Sequence, residues 1–153
     1  MKQSAGILVY RHEHKELQVF LVHPGGPFWA KKDNGAWSVP KGEFLSDEDP
    51  LAAAKREFKE ETGQPINGEF KQLTPVRLAS GKIVHCWAVE GDVDADNIVS
   101  NVFDIEWPPR SGKKISIPEV DRAEWFDMET AKLKINKAQV GFIVELISFL
   151  NEI

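Results

Sequence analysis

Three glutamates, Glu57, Glu60 and Glu61, stand at i, i+3 and i+4 in the run REFKEETG. On a helix that spacing brings three carboxylates onto one face. Like charges so placed repel, and they lie toward a C-terminal end, where the macrodipole disfavours anions. Local stability would prefer lysines there. A divalent cation reverses the sign of this electrostatics, because oxygen ligands are what Mg²⁺, Mn²⁺ and Ca²⁺ take. Arg56, beside Glu57 and one turn before Glu60, is suited to orient one of the carboxylates. Read alone, the three glutamates more often mean a solvated acidic face. The residues around them change that balance.

The helix that must carry them begins with Asp49 as N-cap and Pro50 at its first position. It runs to about Thr62 and is stopped by Gly63 and Pro65, with Leu51, Ala54 and Phe58 on its apolar face. Before it, Ser4 to Arg11 and Leu17 to His23 read as strands joined by the charged turn Arg11 to Glu16. The run from His23 to Gly35 is loop, and Ala36 to Val39 is a short strand ended by Pro40. After the helix, strands are expected between Phe70 and Leu78 and between Lys82 and Val89, turned at Ser80-Gly81. Asp92 to Gly112 reads as irregular. Ala123 to Phe126 is a strand and Met128 to Lys134 a short helix. Ala138 to Ile153 is a longer helix with Val140, Ile143, Val144, Ile147 and Leu150 on one stripe. A mixed sheet with helices packed on it fits this order, an α+β fold in one domain over 1–153.

The pattern Gly42-x5-Glu48-x7-Arg56-Glu57-x2-Glu60-Glu61-x-Gly63 resembles the signature of the Nudix hydrolases. The family usually closes this box with an aliphatic residue, where this chain has Gln64, with Ile66 soon after. The resemblance implies a Nudix fold, an α/β/α sandwich with a mixed sheet flanked by helices, and hydrolysis of a nucleoside diphosphate linked to another group, with Mg²⁺ or Mn²⁺. It implies that Glu57, Glu60, Glu61 and the backbone carbonyl of Lys41 are metal ligands. Glu48 and Arg56 would hold those ligands in place, and Glu60 or Glu61 is the candidate base. A further acidic ligand is expected from the loop before the late strand. Glu119 occupies that place, with Glu106 and Asp121 as weaker rivals.

The chemistry agrees with the residues. A pyrophosphate bridge is highly anionic, and metals neutralise it and generate hydroxide from water. The run WSVPKGEF resembles the entry to the box in the members that cleave diadenosine polyphosphates, so Lys41 is expected to meet a phosphate. Phe28 and Trp29, followed by Lys31 and Lys32, form a loop suited to a base and its phosphates. Trp29 and Lys32 are therefore candidate substrate contacts. So are Arg110, in a proline-stiffened loop with Lys113 and Lys114, and His85, for which packing is the favoured role. Trp37 reads as core and His23 as structural. The sole tyrosine, Tyr10, lies far upstream of the position from which those members stack a base, leaving Trp87 or Phe103 as substitutes.

Composition narrows the classes. The 153 residues are 42% apolar and 28% charged, with 19 basic against 24 acidic residues and a net charge of −5. A chain that coats nucleic acid is normally basic, so a nucleic-acid partner is disfavoured and a small nucleotide preferred. One cysteine, Cys86, makes no internal disulfide and no cysteine-based zinc cluster. No segment reads as a signal peptide or membrane span, which makes the cytoplasm the expected compartment. Nothing specifies an oligomeric state. The leading expectation is a pyrophosphohydrolase acting on dinucleoside polyphosphates or NTPs. A nucleotide-binding sensor without catalysis and an RNA 5′-end pyrophosphohydrolase are the alternatives.

Overall fold

Strand β1 (Gln3–Glu13) divides one of its edges between two partners in the computed structural model, which describes residues 2–151. Its start, Gln3–Gly6, pairs antiparallel with β3 (Lys41–Phe44), and its end, Tyr10–Glu13, pairs antiparallel with β2 (Glu16–Pro24). At the parting, the Ile7 amide donates to the Pro40 carbonyl at 3.2 Å. This split delivers Lys41 and Gly42 to the helix that carries the glutamates. The opposite edge of β1 runs parallel to β6 (Ile83–Glu90), so the sheet is mixed. Beyond β6 lie the two-residue strands β4 (Lys71–Gln72) and β5 (Val76–Arg77), and β9 (Val120–Asp127) flanks β2.

Alternation along β1 and β2 feeds two cores. Ile7, Val9, Phe20 and Val22 pack with Ala53, Ala54 and Phe58 of α1 (Pro50–Thr62). Leu8, Val19 and Leu21 face the other way, toward Ala131 of α2 (Met128–Lys134) and Phe142, Ile143 and Leu146 of α3 (Val140–Leu150). Helices thus cover both faces of the sheet, the expected sandwich. No helix among the described residues is long and apolar enough to cross a membrane.

Four features differ from expectation. Residues 36–39 form no strand: Trp37 and Ser38 make only isolated bridges to Ile135 and Val22, and the strand begins after Pro40. The stretch from Phe70 to Leu78 holds two fragments, because Pro75 lacks an amide for a continuous ladder. The segment 92–112 is not wholly irregular. It contains β7 (Val102–Glu106), which pairs with β8 (Lys114–Pro118) in a separate hairpin, and the polar run between them is its turn. In α3, Val144 is exposed, and Phe142 and Leu146 fill the core beside Ile143. The expected end of that helix, Ile153, lies outside the described residues.

Candidate metal centre and substrate cleft

Helix α1 starts as its sequence dictates. Asp49 accepts from the Ala52 amide at 3.0 Å, Pro50 occupies the first turn, and Gly63 closes the helix in the left-handed conformation at φ 76°. Gln64, in place of the usual aliphatic residue, joins the core of neither layer. Its amide group accepts from Asp94 N at 3.0 Å and donates to the Asp94 carbonyl at 2.9 Å, while Ile66 supplies the buried apolar side chain. The helix therefore keeps its packing despite the departure.

Glu57 and Glu61, one turn apart, are both buried. Glu119 joins them from the residue linking β8 to β9, and carboxylate oxygens of all three lie within 4.8 Å of one another. Glu60 does not join this trio. It sits at the rim, where Arg56 Nη1 reaches its Oε1 at 3.5 Å. The same guanidinium donates to Glu57 Oε2 at 2.6 Å and to Glu48 Oε2 at 3.1 Å. Glu48 is itself pinned by the Leu45 amide at 3.0 Å. The Lys41 amide donates to Glu61 Oε1 at 3.2 Å.

The electrostatics is costly without a cation. Burial, then the charge of Glu60, push Glu57 up to about 7 against the pull of Arg56. Burial pushes Glu61 up to about 8; Lys41 opposes this and Glu119 adds to it. Burial also lowers the Lys41 ammonium, although Glu61 opposes the shift. Two buried carboxylates that resist ionisation, aimed with a third at a common point, are the donor set a hard divalent ion takes. The residues present fit such an ion.

Beside the trio opens a cleft of about 190 Å³, lined by Lys41, Glu61, Glu119, Trp29, Asn136 and Gln139 among others. Of the expected substrate contacts, Lys41 and Trp29 line it. Lys32 lies over the Phe28 ring at 3.9 Å and is not part of the lining. The structure does not bring His85 or Arg110 to the cleft. His85 pairs with Gln3 and meets Phe44 edge-on at 5.9 Å. Arg110 sits in the β7–β8 turn at φ 63°, its amide held by Glu106 Oε1 at 3.1 Å. That bond and one from the Gly112 amide occupy Glu106 as a turn cap. The other rival, Asp121, bonds His23 Nδ1 at 2.9 Å; with its Nε2 on the Lys32 carbonyl, His23 is structural as expected. Trp37 is buried and donates to Asp33. Tyr10 packs against Phe149 away from the cleft.

Sequence reasoning missed Asn136 and Gln139. Gln139 is fully buried, accepts from the Val39 amide at 3.1 Å and donates to Ser38 Oγ at 3.0 Å. A glutamine next to the apolar stripe of α3 was the available signal.

The NUDIX domain model matches residues 1–146. The chain belongs to the Nudix family. A Bartonella henselae protein named RNA pyrophosphohydrolase is 27% identical over 148 residues, spanning 84% of this chain and 78% of that protein. An African swine fever virus mRNA-decapping protein, g5R, is 35% identical over 83 residues, which cover 44% of this chain and 31% of the viral protein. Among solved structures, a C. elegans Ap4A hydrolase in a binary complex superposes with a TM-score of 0.68, at 22% identity and full coverage of both chains. The Nudix domain of Shewanella oneidensis NrtR, complexed with ADP ribose, gives 0.67 at 17% identity, covering 97% of this chain and 88% of that one. The structural likenesses bear out the Nudix fold, and the expected enzyme class, a Nudix pyrophosphohydrolase, stands on the family match and the Bartonella relative. Nudix enzymes generally use divalent metals and act on nucleotide-type substrates. The exclusion of nucleic acid from net charge is not supported, because a relative is named for RNA. Total charge is a poor guide when a short stretch of polymer at one site suffices for recognition.

Proposed function

We propose that this Nudix pyrophosphohydrolase cleaves a pyrophosphate bond in a nucleoside diphosphate linked to a further group, with dinucleoside polyphosphates of the Ap4A kind preferred and NTPs next. The observation that carries this reading is the convergence of Glu57, Glu61 and Glu119 beside a cleft that Glu61, Glu119 and Lys41 line. Glu57, Glu61 and Glu119, with the Lys41 carbonyl, would hold Mg²⁺ or Mn²⁺, and Glu60 stands near as a further ligand or as the base. When bound, the metal neutralises the anhydride and lowers the pKa of water. Lys41 offers a phosphate its ammonium, which is held where burial has stripped part of its hydration. Arg56 keeps Glu57 and Glu48 in register and shares its charge with Glu60 at the rim. The carboxylate that accepts the water proton is Glu61 or Glu60.

A panel of Ap4A, ADP-ribose, NTPs and 5′-triphosphorylated RNA, incubated with Mg²⁺ or Mn²⁺ in ¹⁸O water and resolved by chromatography, tests the reading. Metal-dependent cleavage with ¹⁸O in one phosphate product is expected. No turnover of any of these would overturn it, and tight binding without cleavage would favour a sensor. RNA 5′ ends are the second reading, favoured by the relatives named for RNA pyrophosphate removal and mRNA decapping. Turnover of triphosphorylated RNA far above that of dinucleotides would move it to first.

A further inference from the structure

A second concavity lies around the box helix from the cleft. It is a groove of about 570 Å³ lined by Lys55, Arg56, Lys59, Glu60, Ile66, Pro65, Asn67 and Asn101. Residues 55, 56, 59 and 60 form one strip of α1, and each lies one residue, about 100° of helix, from the buried strip of 54, 57, 58 and 61. The groove therefore begins where the carboxylate trio ends. Arg56 joins the two, since the guanidinium that lines the groove also donates to Glu57 at 2.6 Å. Asn101 ties the same border from the other side: its amide donates to the Glu60 carbonyl at 2.9 Å, and its carbonyl accepts from the amide of Glu119 at 2.8 Å. The trio thus stands between two hollows, one flanked by Glu61 and Glu119, the other by Glu60 and Arg56.

The groove's chemistry is that of a nucleotide site. Among the described residues, no carboxylate lies within ion-pairing distance of Lys55 or Lys59, although acids outnumber bases in this chain. Lys55 instead lies 5.3 Å from the Phe70 ring centroid. Pro65 and Ile66 supply an apolar floor, Asn67 and Asn101 carry carboxamides that both donate and accept, and the volume is in the range that holds a small ligand. Two unpaired ammonium groups beside an apolar floor match a phosphate joined to a nucleoside.

We infer that this groove binds the nucleoside phosphate lying beyond the scissile anhydride, so that substrates carrying a second nucleotide bind across the carboxylate trio. The inference rests on the proposed hydrolysis and adds which substrates the site selects. The second nucleotide arrives either in a dinucleoside polyphosphate or at the 5′ end of an RNA, and the two share the chemistry the groove offers.

The test compares the wild-type protein with Lys55→Glu/Lys59→Glu and, separately, Asn67→Ala. The measured quantity is kcat/KM on ATP, on Ap4A and on a 5′-triphosphorylated oligoribonucleotide, with circular dichroism to verify folding. The ratio of Ap4A or RNA to ATP should fall roughly tenfold or more in the double variant, the loss of charged hydrogen bonds to phosphate, and less in Asn67→Ala. A fall for Ap4A alone assigns the groove to dinucleotides, and a fall for RNA alone assigns it to RNA. Wild-type turnover with unchanged ratios in both variants overturns the groove and leaves the hydrolase reading intact. If the double variant fails to fold, the Asn67→Ala ratio and its KM decide. Absence of turnover in the wild type is a failure of the hydrolase reading instead.

Discussion

A Cβ placed on Gly42 would stand 1.9 Å from Oε1 of Glu57. The glycine that opens the box and the first glutamate of its helix, fifteen residues apart in sequence, thus occupy touching volumes. The backbone must pass that close because β3 leaves Pro40 to pair with β1 at the mouth of the site. Gly42→Ala should push the Glu57 carboxylate out of the trio. Divalent-ion affinity and turnover should each fall at least about tenfold, as when a metal ligand loses its support, while circular dichroism stays native. Steady-state kinetics with metal titration checks this; unchanged activity would show that Glu57 does not need its present position.

Arg56 touches Glu48, Glu57 and Glu60 at once. Lysine keeps the charge but loses the planar fork that serves several carboxylates together. Arg56→Lys should lower kcat by about 10- to 100-fold, the range for a residue that orients metal ligands, with the fold retained. Activity within twofold of wild type would mean that charge alone suffices.

Glu119 and Glu106 separate a ligand from a turn cap. Glu119 converges with Glu57 and Glu61, whereas Glu106 holds the amides of Arg110 and Gly112. Glu119→Gln should weaken divalent-ion binding roughly tenfold, and Glu106→Gln should leave it unaltered. Isothermal titration of both variants decides, and the reverse ranking would exchange their roles.

The metal-free protein should lose stability as pH rises toward neutrality. Glu57 and Glu61 hold their protons in the fold until about 7 and about 8, against an ordinary value of 4.5. Across that window the folded chain binds more protons than the unfolded one, so stability falls with rising pH. In chelator, Tm should drop between about pH 5 and pH 8, and Glu57→Gln/Glu61→Gln should flatten the drop. Added Mg²⁺ or Mn²⁺ should restore Tm at the high-pH end, because the ion favours the ionised carboxylates. A wild-type profile parallel to that of the double variant would contradict this.

Much of the site was legible because its geometry is local. Asp49, Pro50 and Gly63 mark the ends of α1, and the i, i+4 spacing of Glu57 and Glu61 follows from helical pitch alone. Periodicity cannot say which of Glu60 and Glu61 turns inward, since that depends on how α1 lies against β1 and β3. The structure buries Glu61 and leaves Glu60 with Arg56. Glu119 lies far away in sequence, and only the family resemblance singled it out from Glu106 and Asp121. Residues with no chemical signature of their own were missed. Gln139 supports the cleft through a buried contact to Val39 that arises only when α3 docks on the sheet. The β7–β8 hairpin was hidden by the prolines and glycine of its turn, although Phe103, Ile105, Ile115 and Ile117 alternate as a strand pair should.

The most direct measurement is a calorimetric titration of Mn²⁺ and Mg²⁺ into the metal-free protein, with and without a non-hydrolysable nucleotide, for wild type and for Glu57→Gln and Glu61→Gln. The account predicts binding in the millimolar range or tighter in the wild type, weakened roughly tenfold or more in each variant. No binding heat in the wild type under either condition, or equal affinities in all three proteins, would contradict it.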